Sequence, residues 1–186
     1  MITNIQIGGV RFLYDNVIES GEQYMNSQGF GCILAHAMGL GKTIQVCTFC
    51  DVFLRSTTGD IFHYLHAKPT LNSSQFSPGA HILCIVPINT IQNWLAEFNH
   101  WLPERGRGSS LSDSGAVTPR SFDVFLLNDA LKNLEQRSRV IDSWRAEGGV
   151  LLMGYELYRL LANKKQRKKK ASKKRASVRF VHVQFM

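Results

Sequence analysis

The chain has no apolar run approaching the roughly 20 residues that a membrane-spanning helix needs. Its first residues lack the apolar centre and cleavage pattern of a secretory signal. Cysteine is sparse. Cys32, Cys47, Cys50 and Cys84 fall in apolar segments rather than in a loop framework, which points to reduced thiols of the cytosol or nucleus. There is no internal repeat. Acidic residues stop at Glu156, and no Asp-Glu pair occurs anywhere. What is present is 186 residues with a 44% hydrophobic fraction, which suits one folded domain with a full core.

The net charge of +8 is concentrated in one place. Lys164, Lys165, Arg167, Lys168, Lys169, Lys170, Lys173, Lys174 and Arg175 form a block of nine basic residues with no acid among them. Of the 22 basic residues, 13 remain outside it against 14 acidic ones, so the rest of the chain is almost neutral. A block of like charge repels itself and is expected to stay unfolded. It suits a sequence-blind clamp on nucleic-acid phosphates or a nuclear-import signal, and equally a solvated spacer.

The most specific chemistry lies in Ala35-His36-Ala37-Met38-Gly39-Leu40-Gly41-Lys42-Thr43. An apolar run, Gly31 to Ala35, precedes it, and a helix-compatible stretch from Lys42 to Arg55 follows. That strand–loop–helix setting is the one a phosphate-binding loop requires. Gly39 and Gly41 permit backbone dihedrals closed to other residues and let the chain approach a ligand. The loop N–H groups and the helix N-terminus then face an anion. Lys42 is placed to reach β- and γ-phosphate oxygens, and Thr43 offers a hydroxyl to Mg²⁺. His36 stands where such loops usually begin with glycine. It either touches nucleotide or fills the loop's outer turn, and the residues leave both open.

Around this loop the pattern predicts an α/β fold with a parallel sheet flanked by helices. A helix is expected over Gln6–Ser20, where Val10, Leu13, Tyr14, Val17 and Ile18 recur at three- and four-residue spacing. Gly21 to Gly29 reads as a loop, and strand one as Cys32–Ala35. Residues 56–80 read as an insertion, with a short helix near Ile61–His66. Strand two is His81–Val86, a continuous apolar run stopped by Pro87. Asn89 or Thr90 can cap the next helix, whose apolar face would be Ile91, Trp94, Leu95, Phe98 and Trp101. Arg105 to Pro119 is a Gly/Ser-rich loop. Phe122–Leu127 makes strand three. Leu131, Leu134, Ile141 and Trp144 mark a helix closed by Gly148-Gly149. Val150–Met153 makes strand four, followed by a short helix, Tyr155–Leu161. A ligand is expected at the carboxyl ends of such strands, where the phosphate loop would also sit.

Several of these stretches together resemble a known family. Residues 35–46, AHAMGLGKTIQV, resemble motif I of the Swi/Snf-type, helicase-related ATPases, whose usual form is Asp-Glu-Met-Gly-Leu-Gly-Lys-Thr. The Ala-His start is similar to the ATRX and androgen-receptor-interacting helicase-like branch. IVPINTIQNWLAEFNHWLP (85–103) resembles motif Ia, and GGVLLMGYELYRLL (148–161) the next DNA-side motif. QIGGVRFLYDN (6–16) resembles the segment before motif I. The resemblance implies the first RecA-like lobe of a DNA motor. Lys42 and Thr43 would hold ATP phosphates and Mg²⁺, and Gln6 would meet the adenine edge. Residues near Pro87–Trp94 and Met153–Glu156 would face a DNA backbone. It implies nuclear duplex DNA, in chromatin, as a partner, with nuclear protein partners and no membrane. By the same resemblance, residues 1–162 are a partial, truncated lobe and 163–186 a basic tail. The family's Asp-Glu-x-His motif, which completes Mg²⁺ coordination and orients the attacking water, is absent, so nucleotide binding without full turnover is expected.

Other readings compete. A non-enzymatic nuclear adaptor acting through residues 164–175 would need no loop at all. A small P-loop kinase or GTPase would leave the Gln6 segment and the motif Ia-like stretch unexplained. Cys47-x2-Cys50 with His63-x2-His66 imitates a zinc finger, but the histidines are one residue too close and the cysteines fall on a helix, which favours buried structural thiols. Trp94 and Trp101 share helical spacing with Ile91 and Phe98, which favours core packing over base stacking. Asp142, Glu147 and Glu156 read as solvated acids.

Overall fold

The computed structural model describes residues 3–20, 31–58, 80–104 and 119–162. The expected loop 21–29, the helix near Ile61–His66 with most of the insertion, residues 105–118 of the Gly/Ser-rich loop and the basic tract lie outside these residues.

Helix α1 (Asn4–Val17) starts on a reciprocal cap, Gln6 N–H donating to Thr3 Oγ1 and Thr3 N–H to Gln6 Oε1. Two orphan donors of the first turn are satisfied this way. Helix α2 (Lys42–Thr58) buries Ile44, Val46, Cys47, Phe49, Cys50, Phe53 and Leu54, and Phe49 stacks on Phe53 one turn on. Strand β1 (His81–Val86) leads through a 3-10 turn (Ile88–Thr90) into α3 (Ile91–Trp101). Thr90 occupies the cap position, but its hydroxyl donates back to Pro87 O instead of capping. Strand β2 (Val124–Leu127), α4 (Leu134–Glu147), β3 (Gly149–Gly154) and α5 (Tyr155–Ala162) complete the order.

The strands form a parallel sheet in the order β1-β3-β2, with β3 in the middle. Side chains alternate across it because successive residues of a strand point to opposite faces. Ile82, Cys84, Val86, Val150 and Leu152 meet α1, α2 and α3 on one face. Leu83, Ile85, Leu151, Met153 and Leu127 meet Trp144 of α4 and Leu157 of α5 on the other. Central β3 is buried along its whole length, which is why it reads as an unbroken apolar run.

Two glycines turn α4 straight into β3. Gly148 and Gly149 take φ of 79° and 95°, and a Cβ on Gly149 would lie 2.5 Å from Asp123 O. The turn is docked by Gly149 N–H on Ala80 O, by Val150 N–H on Asp123 O and by Trp144 Nε1 on Gly149 O. Beside it, Arg120 is only 4% exposed. Its guanidinium donates to Asn99 Oδ1, Leu102 O and Phe122 O and pairs with Glu104 at 2.6 Å.

Three expectations need correction. Strand one does not form: Gly31–Ala37 have no regular secondary structure and pair with none of the three strands. Leu34 reaches the core while neighbouring Ile33 is 67% exposed, so the segment is anchored by a side chain and not by a backbone ladder. Trp101 does not share the buried face of Trp94; it lies at the helix end, 36% exposed, donating to Glu97 and edge-on to His100. Leu131 precedes α4 in a turn, where its carbonyl accepts from Arg137, and Leu134 is exposed.

Candidate functional site

The loop between the Leu34 anchor and α2 is built from a few polar restraints. Met38 and Gly39 form a turn, and Gly39 and Gly41 take φ of 84° and 72°. Those values favour glycine, the residue without a Cβ penalty there. Ala37, Met38, Gly39 and Leu40 are exposed, Met38 to 91%, whereas Lys42 and Thr43 are half-buried at the start of α2. No acid lies in the first turn of α2, so its positive dipole end is not neutralised there.

Lys42 turns back on its own loop. Its Nζ donates to His36 O at 2.6 Å. The ammonium therefore sits over the loop's inside, held by a carbonyl that an anionic oxygen could replace. The residues fit a triphosphate with Mg²⁺: a single ammonium, loop amides, and the Thr43 hydroxyl one residue on. Among the described residues no group of three or more His, Cys, Asp or Glu side chains could hold a metal ion. A Mg²⁺ here would depend on phosphate oxygens and water with Thr43, the manner in which this ion usually binds.

Gln6 comes to the same place from α1. Its Nε2 lies 2.4 Å from where a Cβ on Gly41 would be, while its Oε1 serves the helix cap. Residues some 35 apart in sequence are thus in contact at the loop's base. The two stretches expected to face DNA also come together. Val86 is paired with Gly154, and Ile88 and Ile91 lie near Gly154, with Pro87, Asn89, Tyr155 and Glu156 exposed around that edge. Glu156 pairs with Arg159, and Asp142 and Glu147 face solvent.

Two site features escaped the sequence reading. Gln45 is fully buried beneath the loop, donating from Nε2 to Leu40 O at 3.0 Å. Gly9 lies against it in the middle of α1. A glycine inside a helix costs stability, so the Gly8-Gly9 pair was the available signal that something approaches closely there. The cysteines are free. Cys47, Cys50 and Cys84 are buried together in the core. A hydrogen bond with Cys84, then burial, raises the Cys50 thiol well above its ordinary range, and burial raises Cys47. Both are protonated and unreactive in the folded chain.

Residues 5–183 match the family described as SNF2-related domain. Helicase ARIP4 of Mus musculus is 51% identical over 160 residues, covering 86% of this chain and 10% of that protein. Helicase ARIP4 of Xenopus tropicalis is 49% identical over 172 residues, 90% of this chain and 11% of that protein. Transcriptional regulator ATRX of Mus musculus is 36% identical over 168 residues, 89% of this chain and 6% of that protein. The chain spans about a tenth of the length of these relatives or less.

Proposed function

The chain belongs to the SNF2-related domain family, in the branch of ARIP4 and ATRX, and on that premise we propose that it is the ATP-binding part of a DNA-dependent, helicase-like motor. His36, Ala37, Met38, Gly39, Leu40, Gly41, Lys42 and Thr43 form the nucleotide cradle. Lys42 holds the terminal phosphates, Thr43 the Mg²⁺, and Gln6 the adenine edge. The observation that carries this reading is the Lys42 ammonium bonded inside a loop whose two glycines have positive φ, next to Gln6. Bound Mg²⁺ would supply charge neutralisation at the phosphates.

The test is titration of the folded chain with Mg-ATP. Saturation at about 100 times Kd should add about 2.7 kcal/mol of stability, read as a rise in Tm. Lys42→Ala should abolish the rise, with only a small loss of ligand-free Tm from the missing bond to His36 O. Unchanged Tm and unchanged amide resonances from 36 to 43 would sink the reading. Residues 1–186 assayed alone should turn over ATP negligibly, since they hold no Asp-Glu pair. Robust turnover abolished by Lys42→Ala would refute that part.

The domain organisation follows the same proposal: a lobe portion over 1–162, with an insertion at 56–80, and a basic tail over 163–186. Duplex DNA in chromatin and a nuclear location belong with it. The nine-residue basic block supports a second, separable reading, a nuclear nucleic-acid-binding or adaptor segment. Its binding should fall steeply with added salt and survive Lys42→Ala. Deleting 164–175 without loss of affinity or nuclear import would end it.

A further inference from the structure

The buried amide of Gln45 has two ends with different neighbours. Its Nε2 donates to Leu40 O at 3.0 Å, and its Oε1 has no hydrogen-bond partner among the described residues. A Cβ on Gly9 would lie 1.8 Å from that Oε1, 2.7 Å from Cδ and 3.2 Å from His36 Cε1. His36 Nδ1 is likewise buried without a partner. Gln45 itself is 0% exposed, so its amide cannot swing into solvent. It is confined between α1 and the loop.

The bond to Leu40 O has a consequence one atom further along. In a planar trans peptide the C=O and the following N–H point in opposite directions. Holding the Leu40 carbonyl toward Gln45 therefore aims the Gly41 N–H away from it. The aim of that donor, one of those expected to meet a phosphate, depends on the Gln45 rotamer. The rotamer in turn depends on the absence of a side chain at position 9.

We propose that Gln45 is a positioning residue that couples the seat of α1 to the Leu40–Gly41 peptide, so that α1 controls how the loop receives a nucleoside triphosphate. This rests on the loop being a nucleotide cradle. Helix α1 then meets the loop at two points one turn apart. Gln6 touches Gly41 directly, and Gly9 acts through Gln45.

A double-mutant cycle with Mg-tripolyphosphate, which has no base to contact α1, tests the coupling. Ala is a better helix former than Gly, so Gly9→Ala should leave α1 folded. Gly9→Ala should weaken tripolyphosphate binding about fivefold to tenfold, and in a Gln45→Ala background by less than about twofold, because the amide it displaces is gone. The same loss in both backgrounds, or no loss in either, overturns the coupling. A ligand-free measurement runs beside it. The Gly41 amide resonance should shift in Gly9→Ala and not shift further when Gly9→Ala is added to Gln45→Ala. An unmoved resonance in Gly9→Ala also overturns the coupling. If the native chain binds neither Mg-ATP nor tripolyphosphate, the nucleotide reading falls, while the resonance comparison still decides the coupling.

Discussion

Strand β3 and the loop 35–43 are held in opposite ways. Every residue of β3 is buried, its backbone is paired on both sides, and its side chains fill two hydrophobic clusters. The loop exposes four consecutive residues and is fixed by Lys42 on His36 O, Gln45 on Leu40 O, and two glycines with positive φ. The strand is overdetermined, and removing one contact leaves many others. Each loop contact lacks a substitute. A segment held so lightly can rearrange around a ligand at small cost, which the sheet cannot.

That contrast can be broken by substitution. Phe49 is fully buried in the core cluster on one face of the sheet, so Phe49→Ala should lower unfolding free energy by about 3–5 kcal/mol in urea titration. A loss below about 1 kcal/mol would show that this face repacks as readily as the loop. Arg120→Met should come next, at about 2–4 kcal/mol, because it strands the buried Leu102 carbonyl and removes the bonds to Phe122 O, Asn99 and Glu104. Two glycines then sharpen the comparison. Gly149→Ala combines a φ of 95° with a Cβ 2.5 Å from Asp123 O, and should cost about 2 kcal/mol or more. Gly39→Ala has a φ of 84° but open space around the Cβ, and should cost about 1 kcal/mol. Equal Tm losses for the two would mean that sheet and loop are equally constrained.

Legibility followed the same division. Strand β1 was readable to the residue because five apolar residues after His81 ended at Pro87, and β3 was readable to within one residue at each end. The Gly148-Gly149 stop was also plain. Leu131 and Leu134 misled because their spacing is helical, yet Leu131 is held in a turn and Leu134 faces solvent. Cys32–Ala35 misled for another reason. An apolar run predicts burial, but a strand exists only where a second backbone lies alongside, and no local pattern reports that. In the candidate site, Lys42, Thr43 and the glycines were legible from spacing. Gln6 was singled out by resemblance, for an adenine edge, but its meeting with Gly41 came only with the structure, and Gly9 and Gln45 went unread because neither residue type signals a contact by itself.

Local chemistry in the sequence was enough for the alternation of strands and helices from residue 81 onward, the composition of the loop, and the confinement of excess charge to one block. Each depends on neighbours within a few residues. The sheet order β1-β3-β2, the assignment of the five helices of the described residues to two faces, and the burial of one amide between Gly9 and Leu40 came only with tertiary structure. Those depend on which distant segments share a register and how closely two backbones approach, and the same local pattern is compatible with several answers.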